Sequence, residues 1–270
     1  MRALATIDEW GAPHAYAGVV SRAGVADARG ELAAGLAWAS VTKVCTALAV
    51  LVAVEEGSVA LHDPAGPPGS TVRHLLAHAS GLGPSDPSVP LAAVGARRIY
   101  SNAGFEVLGR HLEARTGMAF ADYLRAGVLE PLAMSGTRLE GTPAAGAVGP
   151  LVDLLALGAE LLDPTIVARS TLDEATAVAF PGLDGVLPGF GRQQPCDWGL
   201  GFEVRSAKSP HWTGSRNSAE TFGHFGQSGT FLWVDPVAGV ACAALTDRPF
   251  GPWAAAAWPA FSDAVLTEMA

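Results

Sequence analysis

The chain contains 270 residues, of which 49% are hydrophobic and 16% are charged. This composition provides enough apolar side chains for a packed core and excludes a disordered protein. The formal net charge of −9 argues against nucleic-acid binding, which needs a basic surface.

The longest apolar run, residues 44–54, is shorter than the roughly 20 residues that a membrane-spanning helix needs. The first residues also lack the apolar stretch of a signal peptide. We therefore expect a cytoplasmic protein with no membrane partner. The three cysteines form no CxxC pair, and their odd number favours reduced, buried thiols over disulfides.

Hydrophobic patterning predicts strands near both ends of the chain and helices between them. Early strands are expected at 15–22 and 24–28, before a helix at 40–56. Helical patterns follow at 72–79, 103–115, 119–129, 151–162 and 172–179. Strand patterns return at 200–204, 221–225, 230–234 and 240–245. A last helix is expected from about 253 to 269, with Pro259 kinking or interrupting it.

This order of elements predicts an α/β (α+β) fold, in which an antiparallel sheet is flanked by helices and carries an inserted all-helical lobe. Residues 1–66 and 196–270 would form the discontinuous sheet lobe, and residues 67–195 the helical lobe. We expect the functional site to lie between these lobes.

Lysine is rare in this chain, because only two of the 17 basic residues are lysines, Lys43 and Lys208. A buried lysine can lose its proton, whereas the guanidinium group of arginine stays charged. Lys208 lies in a polar stretch, RSAKSPHW, and is interpreted as an ordinary surface cation. Lys43 lies in an apolar helical segment, so it is the candidate for chemistry.

Ser40 and Lys43 are three residues apart at the start of the predicted central helix, which places them on one face. The first turn of a helix has unpaired N–H groups and the positive end of the dipole. A hydroxyl, an amine and free N–H donors are the parts of an acyl-transfer site. The alternative is that Ser40 caps the helix and Lys43 extends to solvent.

A second candidate group is Tyr100-Ser-Asn102, which precedes a helical pattern. Tyr100 could relay a proton, and Asn102 could hold substrate or orient Lys43. Equally, Asn102 could cap the following helix and Tyr100 could be a core aromatic.

A third group lies in the glycine-rich, strand-like run from Thr221 to Pro236, which begins TFGHFGQSG. Glycines in a strand allow another molecule to approach its backbone closely. Ser228 lacks the GxSxG context of a nucleophile elbow and is interpreted as a turn residue.

Two histidines, His74 and His78, have HxxxH spacing, but the glutamate of HExxH and a third ligand are missing. We therefore predict no metal site. The tryptophans Trp198, Trp212 and Trp233 could line an acyl pocket, although buried core positions are the default for such residues.

Together, Ser40-Val-Thr-Lys43, Tyr100-Ser-Asn102 and His224-Phe-Gly226 resemble the signature set of the serine β-lactamase and penicillin-binding-protein superfamily. The resemblance is to its class C-like branch, which includes β-lactamases, D-alanyl-D-alanine carboxypeptidases and family VIII esterases. The segments at 71–82 (TVRHLLAHASGL) and 198–202 (WGLGF) match the same branch. The likeness extends from about Gly18 to Asp247.

The resemblance implies that Ser40 is the acylated nucleophile and that Lys43 and Tyr100 share the general-base and proton-relay work. It implies an oxyanion hole formed by the backbone N–H groups of Ser40 and Gln227. The same resemblance assigns Asn102 to contact with the acyl part of the substrate. It implies no metal and no organic cofactor.

The third motif departs from the family pattern, where Lys-Thr-Gly or His-Thr-Gly is usual. His224, Phe225 and Gly226 are expected to contact substrate, but Phe225 has no hydroxyl for a substrate carboxylate. A hydrogen bond to a charged group contributes about 1.5–3 kcal/mol, so penicillins and D-Ala-D-Ala ends should bind less well.

These features predict a serine hydrolase that acts on a small-molecule ester, amide or β-lactam, as a monomer or small homo-oligomer. Three alternatives remain: an acyltransferase on the same fold, a β-lactamase or D,D-carboxypeptidase, and a non-catalytic binding module that kept the scaffold.

Overall fold

The computed structural model describes residues 1–270 and has a mixed α/β fold. The strands are β1 (Ala15–Ser21), β2 (Gly24–Arg29), β3 (Gly35–Ala37), β4 (Arg138–Leu139), β5 (Ala147–Pro150), β6 (Gly185–Leu187), β7 (Gly191–Gln193), β8 (Glu203–Val204), β9 (Phe222–Gly226), β10 (Thr230–Asp235) and β11 (Val240–Thr246). The α-helices are α1 (Arg2–Ala5), α2 (Thr42–Glu55), α3 (Val72–Leu76), α4 (Asn102–Thr116), α5 (Phe120–Leu124), α6 (Leu151–Leu162), α7 (Arg169–Thr176) and α8 (Pro252–Met269). Short 3₁₀ turns cover Thr6–Trp10 and Ala39–Val41, and a π-helical turn covers Arg125–Leu129.

The main sheet has six strands in the order β2-β1-β11-β10-β9-β8, and its neighbouring strands are antiparallel. Strand β1, from the beginning of the chain, pairs with β11, from near its end, with Val19 opposite Cys242. The antiparallel sheet with flanking helices that the sequence predicts is confirmed.

Both faces of the central strands are buried, and their side chains alternate between two cores. Leu232 and Val234 of β10 join the core shared with α2 and α6. Phe231 and Trp233 of the same strand join the core shared with α8 and the first helix. The sheet is therefore the middle layer between two layers of helices.

The segment 67–195 is mainly helical but also contains the short strands β4 to β7. Helix α6 of this segment packs on β1, β10 and β11. Gly158 of α6 allows this close approach, because an added Cβ would lie 3.2 Å from Ala241 Cβ. One helix of the predicted helical lobe therefore belongs to the sheet layers by its packing.

Helix α8 runs through Pro259, so of the two expected effects, a kink or an interruption, the interruption does not occur. A proline inside a helix removes one hydrogen bond, to the carbonyl four residues earlier. That carbonyl belongs to Ala255, which is only half-buried, so water can satisfy it. Trp258 and Phe261 bury the inner face of α8 in the core on both sides of the proline. No helix of the protein combines the length and apolar character that crossing a bilayer requires.

Candidate active site

Ser40 lies in the 3₁₀ turn that precedes α2, and it makes no capping hydrogen bond to the helix. The residue before it, Ala39, has a φ of 45°, a left-handed conformation that is unfavourable for residues other than glycine. Gly226 of β9 packs directly against this turn, since an added Cβ would lie 2.5 Å from Trp38 O and 3.2 Å from Ser40 N. The turn and the strand together therefore fix the backbone of Ser40.

Lys43 is completely buried, so it does not extend to solvent. Its Nζ lies 3.3 Å from Ser40 Oγ, 2.6 Å from Asn102 Oδ1 and 2.8 Å from the carbonyl oxygen of Ala144. The predicted Ser40–Lys43 pair is therefore in contact. No sequence signal indicates Ala144, whose carbonyl comes from the loop between β4 and β5.

Burial lowers the pKa of Lys43 from 10.5 to about 7, because the charged ammonium loses its hydration. The carboxylate of Glu106 opposes this shift by attraction but does not cancel it. A substantial fraction of Lys43 is therefore a neutral amine near neutral pH.

Asn102 begins α4 but does not cap it. Ser101 is the N-cap, and its hydroxyl accepts a hydrogen bond of 3.0 Å from the N–H of Gly104. The side chain of Asn102 is thus free to accept the hydrogen bond from Lys43. The structure favours an orienting contact over the capping alternative.

Tyr100 lies beside Lys43, whose Nζ is 4.8 Å from the centre of the phenol ring. Burial raises the pKa of Tyr100 well above its ordinary value, and the interaction with Ser40 only partly offsets this. The phenol therefore remains protonated at neutral pH. His78 packs against its ring at 4.7 Å, and His78 Nδ1 accepts the N–H of Ser101 at 3.1 Å.

His224 on β9 faces Tyr100, with Nε2 3.5 Å from the phenol oxygen. Its Nδ1 lies 2.7 Å from the carbonyl oxygen of Phe225, so the proton is assigned to Nδ1 and the lone pair to Nε2. Burial, with repulsion from Lys43, lowers the pKa of His224 to about 3. At this position the protein has a neutral acceptor and no cation.

Phe225 borders the same site but packs mainly into an aromatic cluster. Its ring centre lies 4.9 Å from that of Phe250 and 5.9 Å from that of Trp258. This side chain stabilises the contact between β9 and α8 and offers no hydrogen bond to a substrate.

Gln227 follows β9 at the end nearest Ser40. Its carbonyl accepts the N–H of Phe250 at 2.9 Å, while its own N–H donates to no group of the protein. A free N–H here and the Ser40 N–H at the start of the helical segment are suitable donors for a developing oxyanion.

One cavity of about 90 Å³ brings these groups together. It is lined by the predicted residues Ser40, Tyr100, Asn102, His224, Phe225 and Gln227, and also by Leu187, Pro188, Trp198 and Glu203. The sequence did not identify Leu187, Pro188 or Glu203, because only the folding of the 181–203 region against β9 brings them here. A larger cavity of about 540 Å³ between α6, α7 and β9 contains none of the predicted site residues.

Lys208 is not a surface cation. Its side chain is fully buried, pairs with Glu203 and donates to the carbonyl oxygen of Asp197 at 2.6 Å. His211 Nε2 lies 2.9 Å from the other oxygen of Glu203. A polar stretch of sequence thus folds inward around a buried carboxylate, which pattern alone does not predict.

The HxxxH residues serve packing in this structure. His74 stacks on Phe180 at 4.5 Å and lies 2.8 Å from Thr71 Oγ1, while His78 supports Tyr100. No group of three or more potential metal-ligating side chains occurs in the protein.

The sheet is buried between two layers of helices. A serine just before the central helix lies one turn from a buried lysine inside it. These features define the class of β-lactamase-like and penicillin-binding-protein-like folds. The chain belongs to the β-lactamase family, whose sequence profile matches residues 18–266. The family resemblance inferred from the three motifs is therefore confirmed. A search of curated proteins found no match.

Solved structures extend this comparison. A crystal structure of a β-lactamase from Mycobacterium bovis is 54% identical, covers 99% of each chain and has a TM-score of 0.97. Unliganded simvastatin synthase from Aspergillus terreus is 16% identical and covers 99% of this chain and 97% of its own, with a TM-score of 0.79. EstCE1, a hydrolase with promiscuous acyltransferase activity, is 19% identical and covers 98% and 99%, with a TM-score of 0.79. The last two likenesses concern the fold alone.

Proposed function

We propose that the protein is a serine hydrolase that cleaves small esters or amides through an acyl-Ser40 intermediate. The observation that carries this proposal is the contact of 3.3 Å between Lys43 Nζ and Ser40 Oγ inside a buried site. A nucleophilic serine needs an adjacent base, and Lys43 is the adjacent titratable group with a pKa near neutrality.

The hydrogen bonds of Lys43 support its role as the base. A neutral amine has two N–H donors, and Asn102 Oδ1 and the Ala144 carbonyl accept them. The lone pair then remains for the third neighbour, Ser40 Oγ. Lys43 is therefore oriented to receive the serine proton, and Asn102 is a positioning residue.

In acylation, Ser40 Oγ forms a bond to the carbonyl carbon while its proton passes to Lys43 Nζ. The N–H groups of Ser40 and Gln227 stabilise the oxyanion. When the bond to the leaving group breaks, Tyr100 gives that group its proton and recovers one from Lys43. The raised pKa of Tyr100 keeps the phenol protonated at rest, and the lowered pKa of Lys43 favours a neutral amine. These protonation states suit this order of proton transfers.

In deacylation, water attacks the acyl carbon and passes a proton to Lys43. The bond between the acyl carbon and Ser40 Oγ then breaks, and the serine oxygen takes that proton back. The products are the carboxylic acid and the original site.

The test is intact-mass spectrometry after exposure to a fluorophosphonate, a p-nitrophenyl ester and a penicillin. We expect a mass increment on the wild type and none on Ser40→Ala. Ser228→Ala is the matched control, because Ser228 Oγ donates to Thr230 Oγ1 within a turn. This control should label like the wild type. A folded wild type that no reagent labels would point to a non-catalytic binding module.

A second candidate function is β-lactam hydrolysis, which the 54% identical β-lactamase from Mycobacterium bovis favours. The site itself offers less support, because His224 is neutral and Phe225 has no hydroxyl for the carboxylate of a penicillin. Nitrocefin turnover faster than p-nitrophenyl acetate turnover would reverse our order of preference.

A further inference from the structure

The segment 78–84 (HASGLGP) has no part in the mechanism above, although it lies against the Tyr100-Ser-Asn102 motif. Its first residue, His78, is almost completely buried and packs on Tyr100. Hydrogen bonds join the segment to the chain on both sides of Tyr100, so they bear directly on the position of the phenol.

His78 holds the peptide groups on both sides of Tyr100. Its carbonyl oxygen accepts the N–H of Ile99 at 3.0 Å, and its Nδ1 accepts the N–H of Ser101 at 3.1 Å. The imidazole also packs on the phenol, with ring centres 4.7 Å apart. One residue therefore fixes Tyr100 through the residue before it, the residue after it and its ring.

The far end of the segment holds the rest of the motif. The carbonyl oxygen of Gly83 accepts the Ser101 hydroxyl at 2.6 Å, and that of Pro84 accepts the N–H of Asn102 at 2.8 Å. These two contacts use main-chain oxygens of the segment. The imidazole of His78 is its only side chain that hydrogen-bonds to the motif, so substitution at this position tests the contact.

The hydrogen bond from Ser101 requires a neutral imidazole. A backbone N–H can only donate, so Nδ1 carries the lone pair and the ring proton is assigned to Nε2. Burial, with repulsion from Lys43 and Arg98, lowers the pKa of His78 well below its ordinary value. The ring therefore keeps its acceptor at neutral pH.

Packing alone does not account for a histidine at this position. Its Nε2–H is buried without a hydrogen-bond partner, a cost that an apolar side chain would avoid. His78 also has a φ of 54°, in the left-handed region that is unfavourable for most residues other than glycine. Strained backbone and buried polar atoms without partners are concentrated at functional sites. The acceptor at Nδ1 is the feature that an apolar side chain lacks.

We propose that His78 is a positioning residue, whose neutral imidazole holds Tyr100 where the phenol can protonate the leaving group. This inference rests on the acyl-Ser40 mechanism proposed above, in which Tyr100 supplies that proton. His78 does not line the cavity that contains Ser40, so it acts through Tyr100 and not on the substrate. Its loss should therefore be felt most in the step that needs the Tyr100 proton.

Two acetate esters separate this step from the rest of the reaction. p-Nitrophenolate is a stable anion and leaves without a proton, whereas the alkoxide from benzyl acetate needs one as it departs. Both esters form the same acetyl-Ser40. The ratio of kcat/KM for benzyl acetate to kcat/KM for p-nitrophenyl acetate therefore reports on the leaving-group proton, and a loss of folded enzyme cancels from it.

The matched variants are His78→Asn and His78→Leu, whose new side chains have nearly the same shape. Asparagine places an oxygen acceptor as many bonds from Cβ as Nδ1 and tolerates a left-handed φ, whereas leucine has no acceptor. We expect His78→Leu to lower the ratio by at least about tenfold, and His78→Asn to keep it closer to the wild type. If His78→Leu does not fold, His78→Gly replaces it, because glycine lacks the acceptor and adopts this φ readily.

Tyr100→Phe calibrates the assay, and His74→Leu is the control. Removing the phenol oxygen should lower the ratio at least as far as His78→Leu does. Adding His78→Leu to Tyr100→Phe should lower it no further, and a further decrease would contradict action through Tyr100. His74 stacks on Phe180 instead, so its replacement should leave the ratio unchanged.

The outcomes separate this inference from the proposed function. An unchanged ratio in His78→Leu, or an equal decrease in His78→Asn, would refute the role of the imidazole and leave acyl-Ser40 chemistry intact. An unchanged ratio in Tyr100→Phe, or a wild type that cleaves p-nitrophenyl acetate but not benzyl acetate, would refute Tyr100 as the acid and this inference with it. A wild type that a fluorophosphonate does not label on Ser40 would refute the proposed function itself.

Discussion

Replacing Lys43 by methionine should change stability in a pH-dependent way. The folded state holds the Lys43 pKa at about 7, against 10.5 as the ordinary value. Between these values the unfolded chain binds more protons than the folded one, so this group makes the wild type more stable as the pH rises. The full penalty below pH 7 is about 5 kcal/mol, from about 1.4 kcal/mol for each unit of pKa difference.

Methionine removes this penalty but leaves Asn102 Oδ1 and the Ala144 carbonyl without their donor, a cost that is the same at each pH. The free energy of unfolding of the wild type, minus that of Lys43→Met, should therefore rise by about 3–4 kcal/mol between pH 7 and pH 10. Tyr100 does not obscure this change, because its raised pKa keeps it protonated over most of the range.

Urea unfolding at several pH values between about 6 and 10 measures the difference. Val44→Ala is the control, because Val44 is equally buried in the same helix and does not titrate. Its difference from the wild type should not depend on pH. A pH-independent difference for Lys43→Met would show that Lys43 keeps its ordinary pKa in the folded protein, and the proposed base would lose its physical support.

Three further predictions concern other residues of the candidate site. Asn102→Asp places a carboxylate next to Lys43, which should raise the pKa of the amine. The midpoint of the rise of kcat/KM with pH should then move upward from about 7 by at least about one pH unit. An unmoved midpoint would contradict Lys43 as the base. Gly226→Ala should lower kcat by about 100-fold by displacing β9 from Ser40, whereas Gly35→Ala, whose added Cβ has no neighbour closer than 3.9 Å, should not change it. Phe225→Thr should lower the melting temperature by about 6–12 °C, because it removes about 3 kcal/mol of packing. Calorimetry measures this decrease, and a smaller one would contradict the packing role of the ring.

The sequence predicted most elements of this fold because their apolar patterns are local. The central helix, the strands β9 to β11 and the family motifs follow from residue types and spacing. The meeting of Ser40 with Lys43 also follows, because one helical turn separates them. The contact of Lys43 with Asn102 was only one of the interpretations that the sequence left open, because no spacing rule places residue 102 beside residue 43.

The remaining features depend on contacts between distant segments. The carbonyl of Ala144 and the left-handed backbone of Ala39 have no signature in residue type. Lys208 was misinterpreted because its loop is polar, and only the fold shows that Glu203 draws it inward. Pro259 was expected to kink or interrupt α8, but the helix continues through it, because packing of that helix on the sheet outweighs one lost hydrogen bond.

The burial of both lysines has a consequence for the outer surface of this protein. Every exposed cation there is an arginine, a histidine or the amino terminus, so the only lysine amines lie inside the fold. Amine-directed reagents such as succinimidyl esters or formaldehyde should therefore leave the folded surface almost untouched. Peptide mapping after carbamylation should find modified lysine in an unfolded sample and none in a native one. Amine chemistry therefore reports directly on the integrity of the interior.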